Sequence, residues 1–503
     1  MYRTALACSL LALLAAFVPA ADKPLPNRAA AALQDAFTEV YDRAAPSVVC
    51  ILVSRNEGYK QFASLPSAES PGRLAGFDAD RLREEAKKRF DRTREALVNR
   101  LDLARPDHVP ESSGSGIVVG ESGLVLTNYH VVRGATKVYV RLPGGKGSYA
   151  DIHAADPRSD LAVLKLLTPP KGLKALPLGR GEDVRPAQLV LALTNAFDAR
   201  FRDTGPAADW GIVSAVRRKM ELPRNPAGVP DPSEDRIKTL GHYPTLIQTN
   251  AKLNAGCSGG ALLNLKGELI GITSALAATA DGDAPGGFAV PIDDAVRRIV
   301  KVLKEGKEVE YGFLGVNFPP WPPKDGPEGV LISSVMKDSP AERAGLKANH
   351  YIVKVNGTPI KTNDDVFLTI GTALAGSTIQ VEILSPDSQT RSKHEVRLAK
   401  YYVPGPFIAS QRPPAVGGLR VDYTSTMIQA GDAGVRVEEG VVTREVLPGS
   451  PAAKANIQVG RVITQVNGRA VFSPAEYYEA VSKGTGPLEL KFSGNDTVKL
   501  DRR

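Results

Sequence analysis

Two stretches in the C-terminal part of the chain carry the same short words in the same order. Gly329-Val330 returns as Gly440-Val441, Ser339-Pro340-Ala341 as Ser450-Pro451-Ala452, and Val355-Asn356-Gly357 as Val466-Asn467-Gly468, each 111 positions later. A constant offset held over about 28 residues marks a duplicated unit. Two copies are too few to stack as a solenoid, so they read as two similar domains, 309–400 and 417–503. Tyr402 to Pro414, with its Val-Pro-Gly-Pro and Arg-Pro-Pro runs, is the linker between them, bounded at 401–416. The chain has 503 residues. At about 150 residues per domain, about three domains are expected, which leaves one large domain in front of the repeat.

The extreme N-terminus reads as an export signal. Arg3 supplies a positive start, Ala5 to Val18 is apolar apart from Ser9, and Val18-Pro19-Ala20 offers small residues for cleavage. Residues 1–20 are therefore expected to be a signal peptide, and the protein to be periplasmic or secreted. An uncleaved membrane anchor is the alternative, although the run is short for a bilayer span. Loss of Cys8 with the signal leaves Cys50 and Cys257, too few for a disulfide framework. Cys50 sits in the run Ser47 to Val53 and reads as a buried thiol. The 63 basic and 55 acidic residues leave a formal charge of +8. That bias is mild, and no stripe of alternating aromatic and basic residues points to nucleic acid.

Residues 55–110 read as an insertion. Within it Leu82, Ala86, Phe90, Leu97 and Leu101 recur near every fourth position, which predicts an amphipathic helix between Asp78 and Leu103. It would pack on its own domain or touch a neighbouring subunit. A shorter helix is expected over Ala29–Tyr41 and another over Asp293–Glu305. From Gly114 to Ile299 short β-rich runs alternate with Gly, Asn, Asp and Pro, as in Val138 to Leu142, Leu161 to Leu166 and Leu189 to Leu193. This cadence predicts a mainly β domain, a barrel or a sandwich.

The chemistry gathers in that β-rich region. In Gly256-Cys257-Ser258-Gly259-Gly260 a serine is flanked by glycines, so a tight turn can project its hydroxyl and leave backbone N–H groups free for a substrate oxygen. A serine nucleophile needs a base. Of six histidines, His108 and His242 lie in Pro-rich loops, His153 at a charged strand edge, and His350 and His394 in the repeats. His130 remains, directly after a strand. Asp160, opening the strand Leu161 to Leu166, is well placed to orient it; Asp156 and Asp151 compete and read as turn residues. The order His, Asp, Ser is one known arrangement of such a triad. No His-Glu-x-x-His, Cys-x-x-Cys or phosphate-loop spacing suggests a metal, cofactor or nucleotide.

The blocks Gly114-Ser115-Gly116-Ile117-Val118, Leu126-Thr127-Asn128-Tyr129-His130-Val131-Val132, Asp156 to Lys165, Gly211 to Ala215, Ile247 to Asn250 and Gly287 to Pro291 together resemble the HtrA (Deg) serine proteases. The resemblance runs over roughly residues 30–500 in family order. It implies a chymotrypsin-like double β-barrel protease domain over 21–308, followed by two α+β PDZ domains. It implies His130 as general base, Asp160 as its orienter, Ser258 as nucleophile, and the N–H groups of Gly256 and Ser258 as the oxyanion hole. Gly312, Phe313, Leu314, Gly315 and Val316 resemble the loop with which a PDZ domain captures a peptide C-terminus. Gly417-Gly418-Leu419-Arg420-Val421 is the looser counterpart, in a copy that is either a second reader or a spacer. The implied function is ATP-independent cleavage of misfolded or unfolded proteins by a trimeric or larger homo-oligomer without a cofactor. The strand Gly271-Ile272-Thr273-Ser274 would line a pocket for small or medium apolar residues.

Four departures stand out. Cys257 replaces an asparagine beside the nucleophile and invites comparison with a cysteine protease, but it is Ser258 that directly precedes Gly-Gly. Leu193 to Phe197 replaces a Gly-Asn-Pro-Phe-Gly stretch. The loop 217–243 is long and rich in Pro and Arg. Asn349-His350 stands where Gly-Asp is usual. These keep a second reading open, a non-enzymatic scaffold or chaperone that uses the same domains for binding.

Overall fold

A computed structural model describes residues 28–57, 102–104, 110–196, 205–219, 239–275, 286–319, 327–387, 390–404, 406–428, 436–484, 486–494 and 496–502. The expected signal peptide, nearly all of the 55–110 insertion with its helix, and most of the loop 217–243 lie outside these residues. Among the described residues no helix is long and apolar enough to cross a membrane.

Helix α1 (Arg28–Ala44) opens the described chain and buries Val40 and Ala44. Twelve strands follow: β1 (Val48–Ser54), β2 (Ser112–Gly120), β3 (Leu124–Asn128), β4 (Lys137–Arg141), β5 (Gly147–Asp156), β6 (Leu161–Leu166), β7 (Leu189–Thr194), β8 (Ala207–Arg218), β9 (Leu246–Thr249), β10 (Ala261–Leu263), β11 (Leu269–Ser274) and β12 (Gly287–Pro291). Strands β1 to β6 close on themselves in the order β4-β1-β2-β3-β6-β5, and β7 to β12 form a second closed barrel. The fold is thus mainly β, with the chymotrypsin-like double barrel. The first barrel is filled by Val49, Ile51, Val118, Val125, Val140 and Leu164, the second by Val190, Ala192, Val213, Ile247, Leu262 and Ile270. A third cluster welds the two, with Ile117, Leu126, Leu161 and Val163 facing Leu191, Leu193, Ala261 and Ile272. Strand β5 is only hinted at by the charged strand edge read at His153, because Ile152 is its one β-branched residue.

Helix α2 (Tyr129–Val132) is a single turn. Helix α3 (Asp294–Lys304) is capped by Asp293, which accepts the Val296 N–H at 2.8 Å. Its Val296, Ile299, Val300 and Leu303 follow helical spacing and close the seam between the barrels.

The two repeats are small α+β units. The first holds strands at Tyr351–Val355, Thr378–Leu384 and Arg391–Arg397 with helix α4 (Asn363–Gly371); the second holds Val441–Val446, Val462–Val466 and Leu488–Phe492 with helix α5 (Pro474–Ser482). The repeated words turn out to be caps and turns. Ser339 and Ser450 each cap a short helix, accepting the N–H groups of Glu342 and Ala453 at 3.2 Å. Asn356 and Asn467 sit at φ 49° and 51°, and their side chains accept the N–H groups of Gln380 and Glu489 at 2.8 and 2.9 Å. Asparagine tolerates this left-handed backbone better than most residues. The same property absorbs one departure from the family pattern: Asn349 stands at φ 67°, where a glycine is usual.

The linker is packed against the first barrel. Ile408 and Ala409 pair with Ala155 and Ala154 and add a strand to the free side of β5. Beside it, Lys400 is buried at 4 % exposure. Its ammonium donates to Glu308 at 2.8 Å, Asp422 at 2.9 Å and Glu310 at 3.2 Å. Arg444 joins Glu308 at 2.9 Å and also reaches Asp422. Burial alone would lower the Lys400 pKa; the charges of Asp422, Glu310 and Glu308 outweigh it and hold it above the usual value. Removing one member of such a cluster strands the others without compensation. Lys400→Ala is expected to cost about 3 kcal/mol, read as a lower unfolding temperature in calorimetry, and Glu310→Gln in the same background should recover part of it.

Candidate active site

The site forms where the two barrels meet. His130 lies in α2, just past β3, and Asp160 at the turn from β5 into β6. Asp160 binds three successive residues of the opposite segment. Its carbonyl accepts the Asn128 side-chain amide at 3.1 Å and the Tyr129 N–H at 2.9 Å. Its carboxylate accepts the His130 N–H at 2.9 Å through Oδ1 and faces His130 Nδ1 at 2.7 Å through Oδ2. An ionised carboxylate only accepts, so Nδ1 carries the proton here and Nε2 keeps its lone pair. Asp160 holds all this with φ 56°, a strained left-handed backbone for a non-glycine residue. Asp151 lies in β5, away from these contacts. Asp156 accepts the N–H groups of Arg158 and Ser159 at 3.2 and 2.9 Å, as a turn residue does.

Ser258 comes from the second barrel, on the turn between β9 and β10. Gly256 and Gly259 both have φ 86°. A Cβ at Gly259 would lie 2.1 Å from the Ser115 carbonyl oxygen and 2.4 Å from Thr127 Oγ1, so only glycine fits. The Gly256 and Ser258 N–H groups meet no backbone acceptor among the described residues. The Ser258 hydroxyl accepts the Ala275 N–H at 3.0 Å, and among the described residues it makes no hydrogen bond to His130.

Ser115, without a role in the sequence reading, and Thr273, read there only as lining a pocket, hold this turn. Ser115, on β2, takes the Ser258 carbonyl with its N–H at 2.8 Å and the Gly256 carbonyl with its hydroxyl at 3.0 Å. Its own carbonyl accepts from Thr127 at 2.8 Å, and its Oγ accepts the Asn195 N–H at 2.9 Å. Thr273, on β11, closes the other side, its hydroxyl donating to the Cys257 carbonyl at 2.6 Å. The clue in the sequence was the pair of glycines around Ser115: a Cβ on Gly114 would strike Val131 at 2.6 Å. Cys257 points away from the cleft. It is 7 % exposed, packs in the second barrel with Val190 and Leu262, and lies 3.4 Å from Thr194 Oγ1.

In the first repeat Gly312 and Phe313 pair with Lys400 and Ala399, ahead of the loop proper. Leu314 is buried, and its carbonyl takes the Ala341 N–H at 2.9 Å. Gly315 has φ 86° and abuts Ser339. The Leu314 and Gly315 N–H groups meet no backbone acceptor among the described residues. Val316-Asn317 pairs on one side with Ser334–Val335. In the second repeat the same contacts fall on other residues than the sequence match suggested. Ala452 donates to Gly417 and Leu447 to Gly418, as Ala341 does to Leu314 and Met336 to Gly315. Gly418, abutting Ser450, is therefore the counterpart of Gly315. Here two of the donors are taken: the Gly417 N–H goes to the Arg502 carbonyl at 3.1 Å, and Leu419 exchanges two 3.0 Å bonds with Val416.

Comparison with known proteins agrees with this architecture. The pattern of a trypsin-like peptidase domain matches residues 114–272, and that of a PDZ domain matches 331–372 and 442–492. The chain is 30 % identical over 469 residues to a probable periplasmic serine endoprotease DegP-like of Pseudomonas fluorescens, covering 90 % of this chain and 88 % of that one. It is 30 % identical over 401 residues to the periplasmic serine endoprotease DegP of Escherichia coli, covering 77 % and 76 %. The solved structure of the HtrA-type protease AlgW with decapeptide aligns at 25 % identity and a TM-score of 0.48, over 74 % of this chain and 99 % of that one. Two closed six-stranded barrels, two PDZ domains and relatives named as serine endoproteases make this chain a serine endopeptidase of the HtrA/DegP family.

Proposed function

We propose that Ser258 is the nucleophile, His130 its general base and Asp160 the residue that orients His130. The observation carrying this is the double engagement of His130 by Asp160, which fixes the tautomer with Nε2 free to accept a proton. In the resting enzyme Ser258 Oγ is held by the Ala275 N–H, so attack requires the hydroxyl to turn from Ala275 toward Nε2. As Oγ bonds to the substrate carbonyl carbon, its proton passes to Nε2, and Asp160 stabilises the imidazolium. The Gly256 and Ser258 N–H groups take the charge on the carbonyl oxygen, each worth about 3 kcal/mol. The proton on Nε2 then goes to the leaving amine, and water, deprotonated by His130, clears the acyl group.

The substrates are unfolded or misfolded proteins, cut without a nucleotide or metal in the periplasm or outside the cell after removal of residues 1–20. The periplasmic names of the relatives support this location, and the family supports a homotrimer or larger assembly. The first PDZ domain reads peptide C-termini: the N–H groups of Leu314, Gly315 and Val316 receive the carboxylate, and the peptide adds as a strand beside Val316-Asn317. The occupied donors at Gly417 and Leu419 favour a spacer role for the second.

Three outcomes are expected with unfolded casein. Ser258→Ala abolishes cleavage, a loss of about 10⁴-fold or more, together with fluorophosphonate labelling. Cys257→Ala keeps cleavage within about threefold, because its thiol lies in the barrel core and its removal costs only about 1 kcal/mol of packing. Cleavage that survives the first change and vanishes with the second would reverse the assignment. Gly259→Ala, with no room for a methyl group, is expected to be inactive while circular dichroism still shows both barrels folded. Thiol alkylation at pH 8 should spare Cys50 until denaturant is added, since burial pushes its pKa up to about 12.

A further inference from the structure

The turn that delivers Asp160 is buried throughout, from Asp156 to Asp160, and its partners come from far along the chain. The Asp156 carboxylate is 3 % exposed and accepts the Tyr311 hydroxyl, which is itself 1 % exposed. Arg158 lies between two rings, its guanidinium 4.5 Å from the Tyr311 centroid and 4.6 Å from the Tyr401 centroid. The carbonyl of Arg158 accepts the Leu240 N–H at 2.7 Å, and the Tyr401 N–H donates to the Tyr311 carbonyl at 2.7 Å. The last residue of α4 adds a wall: a Cβ at Gly371 would come within 2.5 Å of Arg158 Nη2. Tyr311, Gly371 and Tyr401 all lie beyond α3. Burial pushes the Asp156 carboxyl up, while its hydrogen bonds from Ser159 and Tyr311 pull it down.

We propose that Tyr311 and Arg158 are positioning residues for Asp160. A left-handed backbone at a non-glycine residue persists only where the surroundings over-determine it. For Asp160 these surroundings include a turn pinned at Asp156 by the Tyr311 hydroxyl and at Arg158 by stacking on two tyrosines. If either pin is lost, the turn can relax and the carboxylate drifts from His130. The peptidase site is therefore completed by residues at the entry to, and the exit from, the first PDZ domain. This rests on the assignment of Asp160 above.

The test uses the full chain. Tyr311→Phe keeps the ring under Arg158 and deletes one hydroxyl; Arg158→Lys keeps the charge and deletes the flat stacking surface. Both are expected to lower kcat on casein by about tenfold to a hundredfold with KM little changed, and to slow fluorophosphonate labelling of Ser258 by the same factor. Both should also weaken or shift the low-field proton resonance of His130 Nδ1–H, which a general loss of stability at an intact site would not move. Binding of a C-terminal peptide to the first PDZ domain should stay at the wild-type level. Wild-type kcat with an unchanged resonance in Tyr311→Phe overturns the inference if Asp160→Asn is inactive. If Asp160→Asn is fully active, the assignment of Asp160 itself falls, and the inference with it.

Discussion

One residue, through its carbonyl and its carboxylate, ties the first barrel together at its functional end. Asp160 accepts bonds from Asn128, Tyr129 and His130 in succession, so the end of β3 and the start of β6 have a single alignment. These bonds form in a nearly dry environment, where each is stronger than in water and where an unmatched group would be costly. The price is a strained backbone at Asp160, which the surrounding turn must hold. Much of the remaining architecture is arranged around that requirement.

The second barrel meets the first through Ser115. This β2 residue grips the carbonyls on both sides of Cys257, so the turn carrying Ser258 is fixed by the opposite barrel and not only by its own. The site is a product of the seam, and the apolar contacts of Leu126, Leu161, Leu193 and Ala261 set the distance across it. The Ser258 hydroxyl accepts the Ala275 N–H and, among the described residues, makes no hydrogen bond to His130.

Behind the site, the linker and the ion cluster at Lys400 join the PDZ domains to the barrels. Such a cluster contributes little net stability over a well-packed apolar core, but its geometry is demanding. Lys400 meets carboxylates from Glu308, Glu310 and Asp422 in one position only. It therefore defines where the second PDZ domain sits against the connection from α3 to the first.

The sequence by itself determined the number of the domains and the mainly β character of the first, because a duplicated set of short words and a regular strand cadence are local signals; the resemblance to the HtrA proteases supplied their kind. The sequence also singled out His130, Asp160 and Ser258, since few residues of these types stand beside a strand end or between glycines. What it left open depends on residues distant in sequence. That Cys257 faces a barrel core, that Ser115 holds the turn carrying Ser258, and that Gly418 is the counterpart of Gly315 follow only from which strands close together. The linker is the clearest case. The sequence reads it only as a linker, yet Tyr401, Phe407 and Ile408 find aromatic-cationic contacts and an unpaired strand edge contributed by residues 37 to 253 positions away. Local composition cannot report a partner that only the closed barrels bring within reach.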